Sequence, residues 1–106
     1  MRRIGFCFKV RQEAIPEYKK RHQAVWPELL QEARDRGTRN YTLFMRDDGL
    51  VFGYLEAEDF EQAMAEMAKS EVNARWQEWM APLFELAPGE RPDQNMQMLQ
   101  EVFHLD

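Results

Sequence analysis

Apolar and polar side chains alternate near the start of the chain. Ile4, Phe6, Phe8 and Val10 fall on one side of residues 3–10, and Gly5, Cys7 and Lys9 on the other. That is the period of a half-buried strand. Pro16 suits the first turn of a helix, where its missing N–H costs nothing. The helical spacing it opens runs to Arg36, and Gly37 stands where a residue just past a helix end belongs. Pro27 lies inside that stretch, so a kink or a restart is expected at Trp26-Pro27. Residues 39–46 and 50–57 read as two strands joined by Asp47-Asp48-Gly49, a short connection of hairpin type. Asp59 is placed to cap a helix over residues 60–69, with Phe60, Met64 and Met67 at helical spacing. Ser70 is placed to cap another over 71–81, presenting Val72, Trp76, Trp79 and Met80. Residues 85–95, with two Pro and one Gly, read as a surface loop. Residues 96–105 read as a last strand, in which Leu99, Phe103 and Leu105 alternate with Gln100 and His104.

The order is β-α-β-β-α-β, with the second helical segment broken in two, which predicts an α+β, ferredoxin-like (split βαβ) fold. At 106 residues the chain is expected to form a single domain, residues 1–106. An antiparallel sheet with helices on one face leaves its other face uncovered. Both faces of these strands carry apolar side chains, Leu43 beside Phe44 and Phe52 near Leu55. A second sheet is therefore expected on the open face, which means a homodimer, with the C-terminal strand contributing.

Composition narrows the partners. Hydrophobic residues make up 44% and charged residues 31%, an ordinary globular mix. No apolar run reaches a membrane span, and the opening residues lack the apolar stretch of a signal peptide, so a soluble, cytoplasmic protein with no membrane partner is expected. The single Cys7 excludes an internal disulfide and a multi-cysteine metal cluster. The net charge of −5, with no basic stripe interleaved with aromatics, argues against nucleic acid. That charge is uneven. Residues 1–46 hold eleven basic and five acidic side chains (+6), and residues 47–106 hold three and fourteen (−11), a split that can help two halves or two chains attract.

His22 is the first candidate for chemistry. Tyr18, His22, Val25, Trp26, Leu29 and Ala33 fall on one helical stripe, so the imidazole points where apolar side chains point. Burial and the basic charges of Lys19, Lys20 and Arg21 both disfavour imidazolium. A neutral imidazole accepts a proton on one nitrogen and donates from the other, as acid–base catalysis requires. It can equally be a core histidine satisfied by a backbone carbonyl. Tyr41 offers a phenol, and Trp76 and Trp79 offer flat rings against which a sugar's C–H face packs. The same rings at helical spacing also serve as ordinary core. Glu28 and Glu32 form an i, i+4 carboxylate pair, read as a solvated face near Arg36. Neither they nor His104 has partners at metal-ligand spacing, and no Gly-rich phosphate loop is present.

The segment Glu17-Tyr18-Lys19-Lys20-Arg21-His22 followed by Val25-Trp26-Pro27-Glu28-Leu29 is similar to the signature EYxxRHxxIWPEL of the L-rhamnose mutarotases. Asn40-Tyr41, Arg75-Trp76-Gln77-Glu78-Trp79-Met80 and Pro92-Asp93-Gln94-Asn95 resemble further segments of that family, and the likeness spans nearly the whole chain. The resemblance implies a dimeric α/β barrel and a cofactor-free isomerase that interconverts the α and β anomers of L-rhamnose or a related 6-deoxy-L-sugar. It implies His22 as general acid, with Tyr18, Tyr41 and Trp76 contacting the sugar. Gln77 stands where the family has a second Trp, and the segment before Asp93 also departs from the family's loop. The substrate pocket is expected to include Gln77. Neither a metal nor a redox cofactor is required by this reaction. Two other functions fit the same features: a cofactor-free monooxygenase on this scaffold, and a non-catalytic sugar-binding dimer.

Overall fold

In the computed structural model, which describes residues 1–106, each predicted element is present and one is much shorter than expected. The strands are β1 (Arg2–Lys9), β2 (Arg39–Met45), β3 (Leu50–Ala57) and β4 (Gln97–Leu99). They form one antiparallel sheet in the order β2-β3-β1-β4, the ferredoxin-like arrangement. The helices are α1 (Ile15–His22), α2 (Pro27–Asp35), α3 (Phe60–Ala68) and α4 (Glu71–Met80). None is long and apolar enough to cross a membrane.

Local chemistry explains the boundaries. Pro27 sits in the first turn of α2, and Trp26, with extended backbone, interrupts the helical run between α1 and α2. The helical stretch therefore restarts. Gly37, at φ 88°, ends α2 with paired bonds from Gly37 N–H to Arg34 O and from Thr38 N–H to Ala33 O. Asp59 and Ser70 cap α3 and α4 by accepting from the N–H groups of Gln62 and Asn73. In the hairpin, Gly49 (φ 95°) turns the chain and packs so close to Val10 that a side chain there would strike the Val10 carbonyl.

Register sorts the sheet into two faces. Ile4, Phe6, Phe8, Leu43, Met45, Val51 and Leu55 share the face that packs against Tyr18, Leu29, Trp76, Met80 and Phe84. The opposite face carries Cys7, Phe44, Phe52, Tyr54 and Leu99, and no element of the chain covers it. Phe44 is 65% exposed and Phe52 42%.

The last strand is a correction. Residues 96–105 were expected to form it, yet only Gln97–Leu99 pair with β1. Beyond them the chain lies free of the ladder, and Val102, Phe103 and Leu105 are exposed. An alternating pattern supplies side chains for two faces, but a strand also needs a neighbour for its backbone. The same edge of β1 is used earlier, where Val10 bridges Phe84 and Arg11 N–H bonds Leu83 O. The edge strand is thus split, and residues 86–96 leave the sheet and return to it.

Phe6 explains a small residue at the centre of the sheet. Its ring lies across β3 at Gly53, in the space a Cβ would fill. Gly53→Ala should overpack this point and cost about 1–3 kcal/mol, a fall in Tm of roughly 4–8 °C per kcal/mol for a domain of this size. Thermal denaturation checks this. The double variant with Phe6→Leu should lose less than the sum of the two single changes, because the two sites share one space.

Candidate active site

A cleft opens between the helix-side face of the sheet and helices α1, α2 and α4. Two adjoining cavities, about 70 and 500 Å³, share Tyr18, His22, Tyr41, Leu43, Trp76 and Gln77. The larger lies in the range of small-molecule sites, roughly 300–1,000 Å³. Every site residue expected from the sequence (His22, Tyr18, Tyr41, Trp76 and Gln77) lines both.

Tyr18 and His22 come from one face of α1, one turn apart. Their rings are 4.2 Å apart, centroid to centroid. His22 Nδ1 lies 3.0 Å from the Tyr18 carbonyl oxygen. A carbonyl only accepts, so Nδ1 carries the proton and donates it. The neutral ring then holds its lone pair on Nε2, which has no partner within the protein. Burial pushes the His22 pKa below its ordinary value, outweighing the opposing effect of the bond to Tyr18. The edge of the imidazole also meets Trp76, with centroids 5.7 Å apart and planes at 88°.

Tyr41 shares the helix-side face with Leu43 by alternation, and a β-bulge adjoins it. From Arg39 to Thr42 β2 advances three residues while β3, from Glu56 to Tyr54, advances two. Asn40 absorbs the extra residue at φ 53°, a left-handed conformation that Asn tolerates, and its side-chain amide donates to Glu56 at 2.9 Å. Tyr41 turns onto the helix side, edge-on to Phe6 at 5.9 Å. Its residue is 52% exposed, while its hydroxyl sits in desolvated surroundings. That burial, with the Asp93 carboxylate nearby, pushes its pKa up to about 12. Burial also raises the Tyr18 phenol well above the usual range, with a smaller contribution from Tyr41. Both phenols are protonated at neutral pH and able to donate hydrogen bonds.

Trp76 and Trp79 part company. Trp76 is buried and walls the cleft. Trp79 stacks on Trp26 at 5.6 Å and carries the Arg21 guanidinium 4.0 Å above its ring, outside the cleft. Glu28 and Glu32 also lie outside it, with Glu32 facing Arg36, and His104 pairs with Asp106 in the exposed tail.

The sequence reading did not single out Asn73, which joins Gln77 and Asp93 in a polar group at the far wall. Asn73, buried on α4, donates to Met67 O at 3.0 Å and to Asp93 Oδ2 at 2.9 Å. Gln77, one turn further, donates to Asn73 Oδ1 and accepts from Asp93 N–H, both at 3.1 Å. Arg91 grips the Asp93 carboxylate with two bonds of 3.0 and 2.8 Å. For Asn73 the only signal in the sequence is its i, i+4 spacing from Gln77.

Paired phenols, a fixed imidazole and an indole wall line a small cleft on a ferredoxin-like α+β frame, a set of groups chemically able to exchange protons and hydrogen bonds with a small hydroxylated ligand. Comparison with known proteins makes this specific. A family model described as L-rhamnose mutarotase matches residues 3–105, and the chain belongs to that family of anomer-interconverting isomerases. It is 36% identical to an L-rhamnose mutarotase of Oceanobacillus iheyensis and 37% identical to one of Bacillus subtilis, each over 107 aligned residues covering 100% of both chains. The crystal structure of an L-rhamnose mutarotase from Formosa agariphila superposes with a TM-score of 0.83 at 26% identity, covering 100% of both chains.

The lowered His22 pKa has a thermodynamic consequence. Above about pH 6.5 the imidazole is neutral in both folded and unfolded chains and contributes nothing to pH dependence. As pH falls through that value, the unfolded chain takes up the proton first, so stability should decline until the folded His22 titrates as well. Urea denaturation at pH 8 and pH 5.5 should show this loss, and His22→Gln should diminish it.

Proposed function

We propose that the chain interconverts the α and β pyranose anomers of L-rhamnose or a related 6-deoxy-L-sugar, with His22 carrying the proton and Tyr18, Tyr41, Trp76 and Gln77 holding the sugar. The observation that carries this reading is His22 itself, its Nδ1 proton committed to the Tyr18 carbonyl and its Nε2 free within the cleft. Membership of the family and full-length similarity to proteins named L-rhamnose mutarotase support the substrate. A cytoplasmic setting belongs to the same reading.

The chemistry moves one proton between two oxygens on the same carbon. Nε2 accepts the proton of the anomeric hydroxyl, O1. The C1–O5 bond breaks, C1 becomes an aldehyde, and the electron pair goes to the ring oxygen O5. The imidazolium then acts as general acid and delivers its proton to O5. Rotation about C1–C2 presents the other carbonyl face, and the reverse transfers close the ring. O1 and O5 are both bonded to C1, so one nitrogen serves both. Tyr18 and Tyr41 donate hydrogen bonds to oxygens of the sugar, and Trp76 packs on its apolar face.

A homodimer is part of the same proposal. The uncovered face of the sheet sets Phe44, Phe52 and Leu99 together in solvent, and a second sheet packed on it would complete a dimeric α/β barrel. Sedimentation at micromolar concentration should give twice the mass of one chain; a monomer overturns this part.

Saturation-transfer NMR on the anomeric protons of L-rhamnose and of L-fucose tests the reaction. Exchange above the spontaneous rate is expected with the protein present, and none with either sugar would overturn the reading. His22→Ala should slow the catalysed exchange by at least about tenfold, since a general acid or base typically contributes 10²–10⁴-fold. The cycle begins with neutral His22, so the catalysed rate should fall as pH drops, with a midpoint below 6.5. A rate that rises on acidification would require imidazolium at the start.

A further inference from the structure

The far wall of the cleft has unused hydrogen-bonding positions, found by counting. A carboxylate has about four acceptor positions. Asp93 uses three of them, one on Oδ1 for Arg91 Nε and two on Oδ2 for Arg91 Nη2 and Asn73 Nδ2. One remains on Oδ1. Asn73 has donated both amide protons, and its oxygen accepts from Gln77. Gln77 has accepted from Asp93 N–H and given one amide proton to Asn73, which leaves one N–H. Both Asp93 and Gln77 line the cavity that contains His22 and Tyr41.

We infer that Asp93 is a specificity-determining residue, accepting a hydrogen bond from one non-anomeric hydroxyl of the sugar, with the free Gln77 N–H donating beside it. This rests on the mutarotase reading for the kind of ligand and adds how that ligand is selected. A hydroxyl donates one proton and accepts others, so it matches an acceptor and a donor side by side. A methyl group or a hydrogen at that ring position matches neither. Asn73, Gln77 and Arg91 hold the carboxylate in place before the ligand arrives, so little ordering remains to be done on binding. Asn73 and Arg91 are positioning residues, and Gln77 both positions and binds. Asp93 itself does not move a proton in the cycle.

The test pairs a protein change with a ligand change. L-rhamnose and its 2-, 3- and 4-deoxy derivatives are compared on the wild-type protein and on Asp93→Asn, reading KM and kcat by anomeric saturation transfer and Kd by NMR titration. A hydrogen bond to a charged group contributes roughly ten- to a hundredfold in affinity. One deoxy derivative should lose about that much in KM and Kd on the wild-type protein, with kcat little changed. Asp93→Asn should lose a similar amount for L-rhamnose and almost nothing more for that same derivative. If the variant weakens all four sugars by one factor, Asp93 only braces the loop and the inference fails. Should the variant not fold, the wild-type carboxylate carbon resonance of Asp93 gives an independent reading. It should shift on titration with L-rhamnose and stay put with the critical derivative; a shift common to all the sugars, or to none, overturns the inference. Binding is read separately from turnover. Selective binding without exchange would defeat the mutarotase reading while sustaining the role of Asp93, and exchange without selectivity would do the opposite.

Discussion

The ring of Phe6 lies across β3 where Gly53 offers no side chain, and much of the molecule is arranged from that contact. It locks the two central strands together and continues as an unbroken succession of rings. Phe6 stacks on Phe8 at 6.1 Å and meets Tyr41 edge-on at 5.9 Å. Phe8 reaches Tyr18 at 6.5 Å, Tyr18 lies against His22, and His22 against Trp76. Trp76 meets Trp26 at 5.1 Å, at the break between α1 and α2. Aromatic contacts of this kind have preferred geometries and add to the burial of the rings themselves. The cleft is bounded by the same rings that join sheet to helices, so site geometry and core packing are one constraint.

Much of this frame was legible because its signals are local. Alternation over residues 3–10, caps at Asp59 and Ser70, Pro27 inside a helical run and Gly37 after it each act within a few residues, and each element they predict is present. The final strand failed for a non-local reason. Leu99 pairs with Gly5, and the next side-chain contact along that edge is an ion pair between Arg3 and Glu101 rather than a backbone ladder. Nothing in the alternation of residues 96–105 reports how much of the edge of β1 is available.

The site divides the same way. Tyr18, His22 and Trp76 belong to helical stripes and could be placed from spacing. Trp79, three residues beyond Trp76, turns far enough around α4 to meet Trp26 instead of the cleft. Tyr41 follows from alternation with Leu43, while the bulge at Asn40 beside it is a feature that no propensity announces. Gln77 and the segment around Asp93 are marked by resemblance, while Asn73 carries no mark of its own. Their connection exists only because an excursion of the edge strand lays Asp93 over α4, sixteen residues after Gln77.

That excursion separates two tasks. The tautomer of His22 is set by a carbonyl one turn earlier on its own helix, a relation internal to α1. One part of the cleft wall, Pro92, Asp93 and Met96, comes from residues 86–96, a segment that leaves the sheet after Glu85 and rejoins it at Gln97. Insertions, deletions or exchanges in this segment can reshape the pocket while the imidazole keeps its tautomer and the sheet its register. A lineage could thus drift from one deoxy sugar to another by rewriting a dozen or so residues, carrying an unaltered proton carrier with it.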